Sequence, residues 1–507
     1  MTKSRKSKLD FVLSGMILIL FVIFQLNFVF SIGVCCADDA HNAGIAKNLA
    51  NGIGYTSTIQ EESNHFIIHK FDARVGNGPT TILPVALLIS IFGNGYWVPG
   101  FTHVLVTTML LVIIAVLLKK YDTEIKLSLF AVLFLFTAYA LMTKHFEQWY
   151  AMLGEVPAAL MFIIGILLFF WKDSRKVYFL SGFIFSLAVN AKLVVFLPFC
   201  VFIIAVYSLD KIFWKSERFK DLNHTFRVFI PLGIGFGLPF LGMEIWKLIS
   251  LGGYGYTDYW TRYFDYVTDL GVTGNLLQDI WGRLGIRRAV FRDRFGIPFV
   301  FLPQFLLITW FFLRDNKKLI RIYSVLLIII SIYSVWWFIF SIGWARHYII
   351  ALIMVIFLAV LPISDFSRNK YIRVYLILLL FWTCITWGHL DNSLENLYGS
   401  FYTKTHQTKA MLEVPEILND HPGEIILTQW WGSAADLNYL MGSTLNFTPY
   451  FDKNLEKGAV YWLAVNKEFI YFKDQNFLDF MASCEVIFES ERHFVGECAI
   501  PANGFDK

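Results

Sequence analysis

The sequence predicts an all-α polytopic membrane domain followed by a small α/β domain. Three observations carry this prediction. Apolar types make up 56% of the 507 residues and charged types only 16%, against roughly 45–50% and about 25% in soluble proteins. Apolar stretches near the roughly 20 residues that cross a hydrocarbon core recur along the chain. Lysine and arginine gather on alternate loops between them. The composition excludes a soluble globular enzyme, a disordered chain, a collagen and a coiled coil. A net charge of +4 over this length does not point to nucleic acid as a partner.

Eleven spans are expected, at 11–33, 98–118, 126–143, 152–171, 177–190, 192–208, 226–250, 297–313, 319–340, 346–363 and 371–389. The pair 177–190 and 192–208 comes from one apolar run, cut near Asn190-Ala191-Lys192. The stretch 79–93 has 15 residues, which suits a re-entrant or interfacial helix better than a span.

Basic residues set the orientation. With Lys3, Arg5, Lys6 and Lys8 in the cytoplasm, the inner loops receive Lys119/Lys120/Lys126, Lys172/Arg175/Lys176, Lys211 to Arg227, Arg314 to Arg321 and Arg368 to Arg373. The short outer turns carry one cation each: Lys144, Lys192 and Arg346. Counting 79–93 as a span would place Lys119 and Lys120 outside. The protein is therefore expected in the plasma (inner) membrane as a multi-pass chain with a cytoplasmic N-terminus and an uncleaved first span.

Three segments then lie outside: 34–97, 251–296 and 390–507. The expected division is a transmembrane domain over 1–389 and an exterior, periplasmic α/β domain over 390–507. The latter is polar, with strand-like runs at Glu424 to Thr428, Ala459 to Val465, Glu485 to Phe488 and Phe494 to Ala499, and a helix-like stretch from Ala434 to Met441. Cys484 and Cys498 fall on neighbouring strand candidates, and an oxidising compartment permits a disulfide between them. The alternative is two reduced core cysteines. Zinc-hydrolase, P-loop and serine-hydrolase motifs do not occur.

The first outer loop carries the chemistry. Asp38 and Asp39 stand together just after the first span, and an amphipathic helix should follow from about Ala40, with Ile45, Ala46, Leu49 and Ala50 on one face and Gly52 as its stop. Carboxylates at a lipid boundary cost free energy unless hydrated or used. Either Asp39 caps the helix, or one of the pair takes a proton from an incoming hydroxyl. Lys47 lies two turns on, on a helix whose apolar face is expected to touch lipid; it either meets a lipid phosphate or snorkels. Gly78-Pro79 suits a helix start, a natural anion site, with Arg74 just before it as a phosphate contact or a solvated loop charge.

These residues resemble the GT-C superfamily of integral membrane glycosyltransferases, which includes protein O-mannosyltransferases, lipid A aminoarabinose transferase and arabinofuranosyltransferases. Asp38-Asp39 is similar to the family's acidic pair. Ala46-Lys47-Asn48-Leu49-Ala50-x-Gly52-x-Gly54 resembles the juxtamembrane helix after it, and Gly78-Pro79 to Phe92-Gly93 resembles the second one. Glu155-Val156-Pro157-Ala158 resembles an acidic position of a later outer loop. The chain departs where Pro-Pro is replaced by Gly-Pro-Thr and the lysine before it is missing. The resemblance implies a polyprenyl-phosphate sugar donor, a glycan, lipid or protein acceptor reached from the aqueous side, and inversion at the anomeric carbon. No cofactor is required; a divalent metal is compatible with the site, but no residue pattern indicates one.

Asp38 or Asp39 is accordingly expected as the base. Lys47, with Arg74 or Arg346, is expected to hold the phosphate. Glu155 would face a cavity or serve the first turn of its helix. Arg346-His347 would touch phosphate or sugar, or anchor the span at the headgroups. Glu244 and Lys247 should pair, His103 should be a packing residue, and the tyrosines and tryptophans of 251–296 should be interfacial. Arg283, Arg287, Arg288, Arg292 and Arg294, which follow most of them, could meet anionic lipid or an anionic glycan. The competing readings are a transporter or flippase of a lipid-linked saccharide, which needs no base, and a membrane scaffold.

Overall fold

A computed structural model describes residues 3–34, 36–60, 66–72, 78–121, 126–142, 147–215, 217–270, 281–282, 284–290, 309–310, 313, 316–341, 344–362, 372–389, 412–418, 420, 425–428, 439–440, 446–449, 456–467, 475–490 and 493–500. Helix α1 (Lys3–Ile32) leads into a short helix α2 (Ala37–Ala50), an antiparallel hairpin of β1 (Thr56–Gln60) and β2 (Phe66–Lys70), and a second short helix α3 (Pro79–Phe92). The bundle continues through α4 (Val98–Tyr121), α5 (Leu127–Leu141), α6 (Glu155–Trp171), α7 (Arg175–Ala191), α8 (Phe196–Ser208), α9 (Leu222–Leu270), α10 (Lys317–Ile339), α11 (Ala345–Val360) and α12 (Ile372–His389). Each expected span except 297–313 falls on one of these helices, and most of that stretch lies outside the described residues. The cut near Asn190-Ala191-Lys192 is where α7 ends.

Among the described residues, five segments are long and apolar enough to cross a membrane: Leu9–Ile32, Val98–Tyr121, Leu193–Phe213, Leu222–Asp265 and Lys317–Ile339. The chain is an integral multi-pass membrane protein. Helices α6 and α11 are shorter and lie at the bundle's centre: every residue from Glu155 to Phe170 and from Tyr348 to Val360 is buried. Helix α6 packs against α4, α7 and α11. Helix α9 is broken at Gly252, whose φ is 70°.

Lipid tails give helices no hydrophobic reason to associate, so close backbone approach carries much of the packing. Helices α7 and α9 use it reciprocally. A Cβ on Gly182 would stand 2.0 Å from the Leu232 carbonyl oxygen, and one on Gly235 2.0 Å from that of Phe179. At the end away from α2, Asp10 of α1 accepts from the amides of Leu127 at 2.9 Å and Ser128 at 3.1 Å, covering the open N–H groups at the start of α5.

The C-terminal region forms a five-stranded sheet of β3 (Ile425–Thr428), β4 (Asn446–Pro449), β5 (Val460–Asn466), β6 (Glu485–Glu489) and β7 (His493–Ala499), in the order β4-β3-β5-β7-β6. Strands β4, β3 and β5 run parallel; β7 lies antiparallel between β5 and β6. Helix α13 (Gln475–Ala482) turns Phe477 and Phe480 onto Leu463, Val465 and Phe494. Cys484 and Cys498 are joined by a disulfide. The expected helix 434–441 lies outside the described residues except for Tyr439 and Leu440, which are helical. The hairpin β1–β2, strand β4 and helix α13 were not expected from the sequence.

Candidate active site

Helix α2 starts after Cys36, whose backbone is extended and whose side chain makes no capping bond. Asp38 and Asp39 occupy its first turn, where the helix dipole favours carboxylates. The expectation that Asp39 caps the helix is therefore corrected, because the helix begins two residues before it. The expectation that the apolar face touches lipid is corrected too. Ala40, Ala43, Ile45 and Ala46 are buried in one cluster with Ile82, Val85, Ala86 and Ile89 of α3.

Successive residues of a helix point about 100° apart, and the two aspartates part accordingly. Asp39 is 0% exposed. Its Oδ1 accepts the amide N–H of Met152 at 2.9 Å, while Asn42, one turn on, donates from Nδ2 to the Met152 carbonyl at 3.0 Å. Asp38 keeps 27% of its side chain exposed and forms an ion pair with Arg346 at the start of α11. The Arg346 guanidinium lies over the Trp344 ring, 4.3 Å from its centroid. His347 is half-buried beside it, its carbonyl accepting from the Tyr333 hydroxyl at 2.8 Å, and stands within electrostatic reach of Lys192 and Arg346.

Glu155 is wholly buried and pairs with Lys192 at 2.9 Å; the same ammonium donates to the Leu153 carbonyl at 3.0 Å. The Met152–Glu155 turn is thus held from one side by Asp39 and Asn42 and from the other by Lys192. Lys47 is 7% exposed, so it does not reach outward as a snorkelling lysine would. Burial pulls its amine down to about 8, because a low-dielectric surrounding disfavours the charged form.

The start of α3 abuts the end of α7. The Gly78 amide donates to the Ala191 carbonyl at 3.3 Å, and a Cβ on Gly78 would meet the Asn190 carbonyl oxygen at 2.0 Å. Only glycine permits this approach. The hairpin is pinned by Tyr55 stacked on Phe71 at 5.0 Å, with Trp246 of α9 edge-on to both. Ser57 donates to Asp72 at 3.1 Å. Arg74 lies outside the described residues.

The C-terminal region reaches the same place. The Tyr439 hydroxyl donates to the Gly95 carbonyl at 2.9 Å, and Asn94 donates to the carbonyls of Tyr439 and Leu440 at 3.0 and 3.2 Å. Burial, then the nearby Asp39 charge, push the Tyr439 hydroxyl's pKa up.

The structure therefore brings Asp38, Asp39, Arg346, His347, Glu155 and Lys192 to one end of the bundle, with Lys47 further along α2. Sequence reasoning missed Asn42, although its three-residue spacing from Asp39 places it on the same helix face. It also missed Tyr439 and the Met152 backbone, for which no local signal exists. Glu244 and Lys247 pair at 2.8 Å, and the buried His103 bonds to the Gln148 carbonyl at 3.2 Å.

No protein-family model and no curated protein matches the chain. Crystal structures that share its fold include two of ArnT. ArnT from Cupriavidus metallidurans bound to undecaprenyl phosphate is 13% identical, with a TM-score of 0.59 over 94% of this chain and 97% of that one. The apo state of the same protein is 12% identical, with a TM-score of 0.57 over the same shares. The chain thus carries the fold of ArnT.

Proposed function

We propose that the protein is a polyprenyl-phosphate-sugar-dependent glycosyltransferase, moving a hexosyl or pentosyl group to an acceptor on the outer face of the membrane. The observation that carries this reading is the Asp38–Arg346 pair. It sets a partly open carboxylate against a fixed cation at one end of a bundle folded like ArnT, one structure of which holds undecaprenyl phosphate.

In this reading the acceptor hydroxyl gives its proton to the Asp38 carboxylate as its oxygen attacks the anomeric carbon from the face opposite the phosphate. The bond from that carbon to the phosphate oxygen breaks, and its electron pair leaves on the lipid phosphate. Charge develops on the phosphate, so cations fixed there in advance are worth more than mobile ones. Arg346 and Lys47 fill that role, with Arg74 assigned to it from the sequence. A guanidinium presents a planar fork to phosphate. Arg346 also competes for Asp38, so engagement of the phosphate would draw it away and leave the carboxylate more basic. Asp39 and Asn42 act as the frame, since both are spent on Met152. Glu155 and His347 line the neighbourhood of Arg346, and Glu155 serves through Lys192.

The test is transfer from a synthetic polyprenyl-phosphate sugar by the purified protein in lipid nanodiscs, with Asp38→Asn beside wild type. The variant is expected to bind the lipid phosphate and fail to transfer. Undiminished transfer by Asp38→Asn would overturn the base assignment. Movement of the lipid-linked sugar across the bilayer without any transfer would favour the flippase reading.

A further inference from the structure

Arg287 lies far in sequence from every residue assigned to the site, in the segment between α9 and α10, and it is buried. A guanidinium carries five donors in a rigid fork and no acceptor, so burying one requires a set of acceptors. Arg287 finds them at the end of α10 and just beyond it, where the chain leads to α11. Nη1 donates to the carbonyls of Trp337 and Phe338, both at 2.9 Å, and Nη2 donates to that of Ser341. Those of Trp337 and Phe338 belong to the last turn of α10 and that of Ser341 lies just past it, where helical partners run out and where a cation meets the negative pole of the helix.

The connection continues to the acid pair. The Trp337 indole donates to the Trp344 carbonyl at 3.0 Å, and the His347 amide donates to that carbonyl at 3.1 Å. The Trp344 ring lies beneath the Arg346 guanidinium, which pairs with Asp38. An arginine of one outer segment thereby fixes the carbonyl end of α10, and through two tryptophans the place of a second arginine.

We infer that Arg287 is a positioning residue for the site: by tying the α10–α11 junction it sets where Arg346 meets Asp38. This rests on the reading of Asp38 as the base. A cation held against a carboxylate keeps it ionised to lower pH, so the position of Arg346 is legible in the acidic limb of the rate profile. Among the described residues, the other titratable groups at this end of the bundle include Asp39 and His41 on the same helix, His347 and Lys192 near Arg346, Glu155 paired with Lys192, Tyr439 beside Asp39, and Lys47 further along α2.

The experiment is the pH dependence of kcat/KM for transfer, which reports the groups of the free enzyme, by the full-length protein in nanodiscs, using a synthetic polyprenyl-phosphate sugar. Wild type is compared with Arg287→Ala, Arg287→Lys, Arg346→Met and the double variant Arg287→Ala/Arg346→Met. Removing an adjacent opposite charge raises a carboxyl by about 1–3 units, so Arg346→Met should move the acidic limb upward by about one unit or more. Arg287→Ala should move it part of the way, and the double variant no further than Arg346→Met alone. Arg287→Lys keeps the charge but carries its donors on one nitrogen, so it does not span the Nη1 and Nη2 positions, and it should shift the limb as well. It also serves as the readable variant should Arg287→Ala fold poorly. An acidic limb unmoved in Arg287→Lys, or in a folded Arg287→Ala, would overturn the inference. If Asp38→Asn transfers normally, the base reading itself is wrong; if Asp38→Asn is dead and the limb still does not move, only the role of Arg287 falls.

Discussion

Asp38 and Arg346 form an ion pair between the first turn of α2 and the first turn of α11. Next to it, Asp39 is spent on the Met152 amide. Two adjacent carboxylates thus have different surroundings, and different consequences follow for their replacement.

Asp38→Asn removes the proposed base without changing shape. A general base contributes on the order of 10²–10⁴ in rate, so transfer should fall by roughly 100-fold or more, with little change in thermal stability. Asp39→Asn should instead lower stability by about 1 kcal/mol, because the buried Met152 amide keeps a neutral acceptor where it had a charged one. Paired activity assays and melting curves on both variants check this.

Lys47 should give the reaction a basic limb. Its ordinary value of 10.5 is pulled by burial to about 8. Between those values the unfolded chain holds a proton that the folded chain has shed, so stability rises with pH across that window. Phosphate binding asks for the opposite, a charged amine. Donor KM should therefore rise above about pH 8, and Lys47→Arg should abolish the rise because a guanidinium does not discharge there. Bound phosphate favours the ammonium, so the basic limb of kcat should lie at higher pH than that of kcat/KM.

The Glu155–Lys192 pair is buried on both sides. Removing one partner of a buried pair costs about 3–5 kcal/mol, whereas replacing both by apolar groups of similar volume is often neutral. Lys192→Met should lower the melting temperature sharply, and Glu155→Leu/Lys192→Met should recover most of the loss. Failure of the double variant to recover would show that Lys192 matters through the Leu153 carbonyl.

Gly78→Ala should separate α3 from α7. The added methyl has no room against the Asn190 carbonyl, and overpacking of this kind costs about 1–3 kcal/mol. Donor KM should rise along with the loss of stability, which transfer kinetics on the folded fraction would show.

Reduction of the Cys484–Cys498 disulfide, which closes a separation of 14 residues, should destabilise the C-terminal sheet by about 3 kcal/mol. Thiol labelling against temperature, with and without reductant, measures it.

The helices of the bundle were legible because a membrane imposes one length and one composition on every span. The strands β3, β5, β6 and β7 were legible as apolar runs among polar turns. Hairpin β1–β2 was not, since Thr56–Gln60 and Phe66–Lys70 alternate weakly and are fixed by the Tyr55–Phe71–Trp246 contact, which depends on a helix nearly 200 residues away. The acid pair stood out as charge at the edge of a span. Its division into one framed and one open carboxylate did not, because that rests on a backbone amide at Met152. Lys192 stands in the sequence only as the cation of a short outer turn; its burial against Glu155 depends on the fold of α6 against α7. Arg287 was one of several arginines in a polar stretch, and only the carbonyls it meets single it out.

Asp38 leaves the ribosome long before Arg346 does, since 308 residues separate them in the sequence. At roughly 5–20 residues per second, translation leaves the carboxylate without that counterion for tens of seconds, and Tyr439 arrives later still. A protein stalled partway through insertion would hold its acid pair with neither, and under the proposed function could not begin chemistry before its biogenesis is nearly complete.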